Sequence, residues 1–206
     1  MLEKFGIIPV DYATIATALG NYKSPKDKIA ALEKNGDLIR LKKGLFVVAP
    51  KIHNQYISKE LVANHLYGPS YISFESSLSF YGLIPERVHS IRSMTLKRGR
   101  QFSTPLGIFE YVTTSIAYFE IGIQQNTINN QFSYLIASPE KAICDMIVAT
   151  VGLRLQSVKA MQSYLEEDLR IDFSVIRTLK TEIIKQCIKT GRKKTELTQL
   201  CKFLEQ

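Results

Sequence analysis

The 206-residue chain has no tryptophan, only three histidines and three cysteines, and no apolar run of membrane-crossing length. Each shortage removes a class of protein. A spanning helix needs about 18 consecutive apolar residues, and the best candidate, Ala142 to Leu153, is interrupted by Asp145. Cys144, Cys187 and Cys201 are odd in number and lack a Cys-x-x-Cys spacing, so they read as small core residues in a reducing cytosol. His53, His65 and His89 form no His-x-x-x-His pair, and no metal or cofactor is expected. Neither a Gly-x-x-x-x-Gly-Lys-Ser/Thr phosphate loop nor a Gly-x-Ser-x-Gly elbow occurs, so the expectation is a protein that is not an enzyme. The start of the chain, with Glu3 and Lys4 before a short apolar stretch, does not read as a secretion signal. A cytoplasmic protein is expected.

What the chain has is positive charge. It carries a formal +8 and a pI near 9.3, and excess cations favour polyanionic partners because they release counterions condensed on phosphates. The charge is densest at the start. Residues 1–56 hold nine Lys/Arg against five Asp/Glu, residues 57–122 six against five, and residues 123–206 twelve against nine. With 45% hydrophobic and 22% charged residues the composition is that of a globular protein.

In the first section Ile15, Ala16 and Leu19 recur at helical spacing and Gly20 stops the helix. Ser24-Pro25-Lys26-Asp27 is a second start, with Ser24 as cap, Pro25 at the first helical position and Asp27 favoured by the positive helix end. Asn35-Gly36 ends that helix. Asp37 to Val48, broken by Lys42-Lys43-Gly44, alternates as a hairpin. Helix, tight turn, helix and basic-tipped hairpin is the order of a winged helix-turn-helix, assigned to residues 1–56.

Residues 57–206 read as a mixed α/β domain. Short helices are expected at Ser58–Tyr67 and Phe74–Tyr81, and strands of a small antiparallel sheet at 90–96, 108–113, 118–123 and 132–136. Ser138-Pro139-Glu140 starts a helix carrying Ile143, Met146 and Ile147. Further helical stripes are Val158, Met161, Leu165; Ile176, Leu179, Ile183, Cys187; and Leu197, Leu200, Cys201, Leu204. The fold class expected is α+β.

On this reading the second helix enters the DNA major groove, with Tyr22, Lys23, Ser24, Lys26 and Lys28 as base-edge and phosphate contacts. Arg40, Lys42 and Lys43 grip phosphate from the hairpin, although a solvated basic turn looks the same. Lys97, Arg98 and Arg100 form a second basic cluster. Arg192, Lys193 and Lys194 form a third. Both are candidate contacts to phosphate or to an acidic partner. Glu75, Glu110, Glu140 and Asp145 are the carboxylates a metal-dependent nuclease would gather, but helix-start and outward strand positions account for Glu75, Glu140 and Glu110. A basic RNA-binding or nuclease-like protein therefore stays open as the alternative. Lys141 and Asp145 stand four apart, where a helical ion pair contributes about 0.3–0.5 kcal/mol.

Three stretches, in order, carry a family resemblance. Gly36-Asp37-Leu38-Ile39-Arg40 followed by Lys43-Gly44-Leu45-Phe46 is similar to the wing of AbiEi-type antitoxins, transcriptional regulators of abortive-infection toxin-antitoxin operons. Tyr71-Ile72-Ser73-Phe74-Glu75-Ser76-Ser77-Leu78-Ser79-Phe80-Tyr81-Gly82-Leu83-Ile84-Pro85 resembles a helix of that family, with Ser77 where alanine is usual. Ser138-Pro139-Glu140-Lys141-Ala142-Ile143-Cys144-Asp145 resembles its proline-glutamate-lysine-alanine helix start. The resemblance implies an N-terminal domain that binds repeats in double-stranded operator DNA and represses its own operon. It also implies a second domain that antagonises a nucleotidyltransferase toxin. A homo-oligomer on DNA fits repeated sites, and no membrane partner is expected. The helices after Val151 match no motif of the family.

Overall fold

The computed structural model describes residues 1–206 except Asn21, Arg87 and Arg177. Its fold is mixed α+β, with two sheets. After a 3-10 turn at Leu2–Phe5 come β1 (Val10–Asp11), α1 (Tyr12–Leu19), α2 (Pro25–Lys34), β2 (Leu38–Lys42) and β3 (Leu45–Val48). The three strands form an antiparallel sheet in the order β1-β3-β2. Asp11 caps α1 by accepting from Thr14 N, and Ser24 caps α2 by accepting from Asp27 N, with Pro25 at the first helical position. Gly44 closes the hairpin at φ +77°, a backbone setting that costs a side-chain-bearing residue about 1 kcal/mol or more. Leu2, Val10, Ile15, Leu19, Ile29, Leu38, Phe46 and Val48 share one core. Ile29 is the one fully buried side chain that α2 contributes. Removing it from water stabilises the helix's seat by about 2 kcal/mol.

The chain continues through α3 (Pro50–His53), α4 (Lys59–Leu66), β4 (Ser70–Ile72), α5 (Phe74–Phe80), β5 (Ser90–Thr95), β6 (Arg100–Thr104), β7 (Gly107–Thr113), α6 (Ile116–Phe119), β8 (Ile123–Ile128) and β9 (Phe132–Ala137). It ends in helices: α7 (Pro139–Ala149), α8 (Val158–Ser163) running into a π turn at Tyr164–Asp168, α9 (Phe173–Ile176), α10 (Thr181–Thr190) and α11 (Lys194–Leu204). The second sheet has the order β6-β7-β5-β4-β9-β8. It is mixed, not the small antiparallel sheet expected. β5 runs parallel to β7, because β6 folds back on the outer side of β7 and leaves β7 beside β5; at the other edge β8 lies outside β9, which leaves β9 parallel to β4.

One strand expectation also moves, and β1, β4 and β6 stand where no strand was expected. Residues 118–123 are mostly the end of α6 and a turn, with the strand following at Ile123–Ile128. β4, three residues long, was unmarked by any alternation. The stripe from Ile176 to Cys187 divides between α9 and α10, and Arg177 lies outside the described residues.

Period-two alternation sends neighbouring side chains of the large sheet to opposite faces. Ile72, Phe109, Tyr111 and Ile136 pack with Leu61, Val62 and Leu66 of α4, with Ile7 ahead of β1, and with Leu41 and Val47 of the N-terminal sheet. Tyr71, Met94 and Ala137 pack on the other side against α5, α7 and the C-terminal helices. The three cysteines are free and buried.

Lys141 and Asp145 are also fully buried, 3.3 Å apart. A weak helical ion pair was expected of them; α7 has instead packed both charges against the sheet, out of water. Lys141 Nζ donates to Tyr118 O at 2.9 Å and lies on the Tyr118 ring. Ser73 and Tyr71 hydroxyls donate to Asp145 Oδ2 at 2.5 and 3.1 Å. Burial pushes the Asp145 carboxyl up, opposed by Lys141 and by hydrogen bonds from Ser73 and Tyr71. The pair thus joins β4, α6 and α7.

Candidate nucleic-acid interface

The exposed side of α2 carries the first group of cations. Its N-terminal turn leaves Lys23, Lys26 and Asp27 in solvent, with Tyr22 about half exposed beside them. Lys28 is half-buried and its ammonium sits over the Tyr22 ring, 5.2 Å from the centroid. The Ser24 hydroxyl is engaged as the helix cap at 3.4 Å and is half-buried, which leaves it a structural duty alongside any contact to phosphate. Lys51 closes the far end of the helix: its ammonium donates to Asn35 O and pairs with Asp37 at 2.8 Å.

The hairpin cations divide three ways. Lys43, at the turn, is exposed and makes no side-chain hydrogen bond or ion pair among the described residues. Arg40 is not free. Its Nε donates to Glu33 Oε1 at 2.8 Å and its Nη2 to Glu33 Oε2 at 2.5 Å, with the guanidinium over the Phe46 ring. Those bonds hold the Glu33 carboxyl below the ordinary carboxylate range and raise the guanidinium further. Lys42 turns away from solvent. Its ammonium donates to Leu66 O at the end of α4 and sits over the Phe102 ring of β6.

That turn brings two clusters distant in sequence together. Burial first, then the charges of Lys97 and Arg100, hold the Lys42 ammonium below its ordinary value. Lys97 lies over the Tyr67 ring and Arg100 over Phe102, and the two rings stand 5.4 Å apart. Tyr67 OH donates to Arg98 O, which fixes the turn that presents Lys97, Arg98 and Arg100. Gly99 fits closely there: a Cβ would stand 3.1 Å from Tyr111 O. The product is a basic shelf with an aromatic base, built from the hairpin, the end of α4 and the β5–β6 turn. Tyr67, Phe102 and Glu33 were missed from the sequence. An aromatic two residues after Arg100 was the available signal for Phe102, while Tyr67 and Glu33 gain their roles only through folding.

Lys193 departs from expectation as a phosphate contact: its ammonium donates to Thr150 O and Leu153 O, where it satisfies carbonyls at the end of α7. Arg192 and Lys194 are exposed. The four carboxylates are held separately. Glu75 and Glu110 both pair with Arg92, at 2.8 and 3.4 Å; Glu140 accepts from Lys180 N; Asp145 lies in the core. Ser76 bridges α5 to β5 through Ser90 O and Arg92 N, so these motif residues tie elements together. Among the described residues, no group of three or more His, Cys, Asp or Glu is placed to hold a metal ion, and no helix is long and apolar enough to cross a membrane.

The chain matches no family model and no curated protein.

Proposed function

We propose that residues 1–56 form a winged helix-turn-helix and that the chain is a sequence-specific, double-stranded DNA-binding regulator. One observation carries this reading. α2 seats itself through Ile29, while its N-terminal turn keeps Tyr22, Lys23 and Lys26 exposed, next to a hairpin tipped by Lys43. A helix of this kind fits the major groove, where side chains of its first turns meet base edges. The exposed Lys97, Arg98 and Arg100 of the shelf add a second, sequence-independent grip on phosphate.

The narrower role rests on the resemblance to AbiEi-type antitoxins. In it the protein represses its own toxin-antitoxin operon at repeated operator sites, as a homo-oligomer on DNA, and antagonises a nucleotidyltransferase toxin. The part beyond residue 56 supplies that second activity. No nuclease chemistry is proposed, because three of the four candidate carboxylates are already held in ion pairs, Glu75 and Glu110 with Arg92 and Asp145 with Lys141.

A competition gel shift tests the reading. Labelled duplex from upstream of the protein's own gene should be retained against a hundredfold excess of scrambled duplex, and released by its unlabelled self. Failure to retain any duplex at low salt would sink the proposal; equal competition by both duplexes would reduce it to unspecific binding.

A further inference from the structure

A cleft of about 700 Å³ opens at the carboxyl ends of the parallel strands β5 and β7, far in sequence from α2. This is the edge at which sheets with parallel strands most often receive ligands, and the volume falls in the range of about 300–1,000 Å³ found for small-molecule sites. Met94, Val112, Val148 and the Tyr118 ring give it an apolar lining. Gly191 forms part of its wall and packs so closely on Tyr118 that a Cβ would stand 2.8 Å from the ring.

The polar part of the lining is one-sided. It holds two cations, Arg192 and Lys193, and no carboxylate. Lys193 is committed to the carbonyls of Thr150 and Leu153, so it offsets the negative end of α7. Arg192 has no ion pair among the described residues, and the Thr114 and Ser115 hydroxyls make no hydrogen bond among them. On the chain segments that border the cleft, Ile116 and Val151 are 65% and 97% exposed, although both are apolar.

We propose that this cleft is a binding site for a small organic anion, whose apolar body rests against the part-exposed Val112, Val148 and Ala149, with Met94 and Tyr118 buried behind them, and whose carboxylate, sulfonate or phosphate group meets Arg192. The lining selects against cations, which would find no partner, and against fully polar anions, which would leave the apolar wall in water. The inference is independent of the DNA-binding reading.

The test uses two fluorescent probes on the full chain, anilinonaphthalene sulfonate and its uncharged parent phenylnaphthylamine. The sulfonate should bind saturably, one per chain. Arg192→Gln, at an exposed position, should weaken it about tenfold, the scale of one lost charge-assisted hydrogen bond, and leave the uncharged probe unaffected. Ala149→Phe, which fills the cleft from the last turn of α7, should weaken both. Absence of saturable sulfonate binding would overturn the proposal, as would Arg192→Gln leaving it unchanged. Should Ala149→Phe fail to fold, the Arg192→Gln comparison decides alone.

Discussion

Glu33, in the last turns of α2, holds Arg40 of the hairpin by a two-pronged ion pair, so the helix and the strand beside it share one neutralised charge. The carboxyl is held below its ordinary range by that partner. Its contribution to stability is therefore present above the unfolded carboxyl's value and is lost as pH falls through the depressed folded one. For a pair this exposed the contribution is about 0.2–1 kcal/mol.

Glu33→Gln consequently trades little stability for a freed cation. Duplex affinity should rise, and the slope of log affinity against log salt should steepen by roughly one, as one more phosphate is neutralised. An unchanged slope in a fluorescence-anisotropy titration would place Arg40 outside the DNA contact.

Lys42 and Lys43 are adjacent yet should behave differently. Lys42→Ala removes a hydrogen bond to Leu66 O at the junction with α4 and should lower stability by about 1 kcal/mol. Lys43→Ala should leave the urea midpoint within error and flatten the salt slope by about one. Equal midpoints for the two variants would contradict the assigned difference.

The buried pair gives a sharper stability test. Lys141→Met or Asp145→Asn alone leaves a buried group without its counter-charge, and each should cost about 3–5 kcal/mol. Lys141→Met with Asp145→Asn removes both charges and should recover much of that loss. A double-mutant cycle by urea unfolding checks it, and additive losses would show that the two side chains act independently.

Two glycines separate crowding from backbone strain. Gly191→Ala would set a Cβ 2.6 Å from Cys187 O, which forces the α10–α11 turn to shift and should cost about 1–3 kcal/mol. Gly152→Ala meets nothing within 4 Å, but at φ +77° it should cost about 1–2 kcal/mol from the left-handed backbone. Thermal unfolding of the two variants measures both.

The two helices and the hairpin of the N-terminal part were legible because their punctuation is local, whereas β1 was not. Ser24-Pro25, Asn35-Gly36 and Lys43-Gly44 each act within a few residues of where they stand, and the helices and hairpin fall where these mark them. β4 was not legible, since three residues between Pro69 and Ser73 show no period. The parallel pairing of β5 with β7 was also hidden, because strand order is set by packing at long range. The cationic residues of the candidate site were readable as clusters, but their availability was not. Nothing near Lys42 in sequence predicts Leu66 as its partner, and nothing near Lys193 predicts Thr150.

The central claim concerns the first turn of α2, and a salt titration of Lys23→Gln/Lys26→Gln against the parent chain tests it most directly. With the duplex from upstream of the protein's own gene, the double variant should bind more weakly and its log-log salt slope should be shallower by about two. Equal affinity and equal slope would contradict the account, and would move any nucleic-acid contact away from α2.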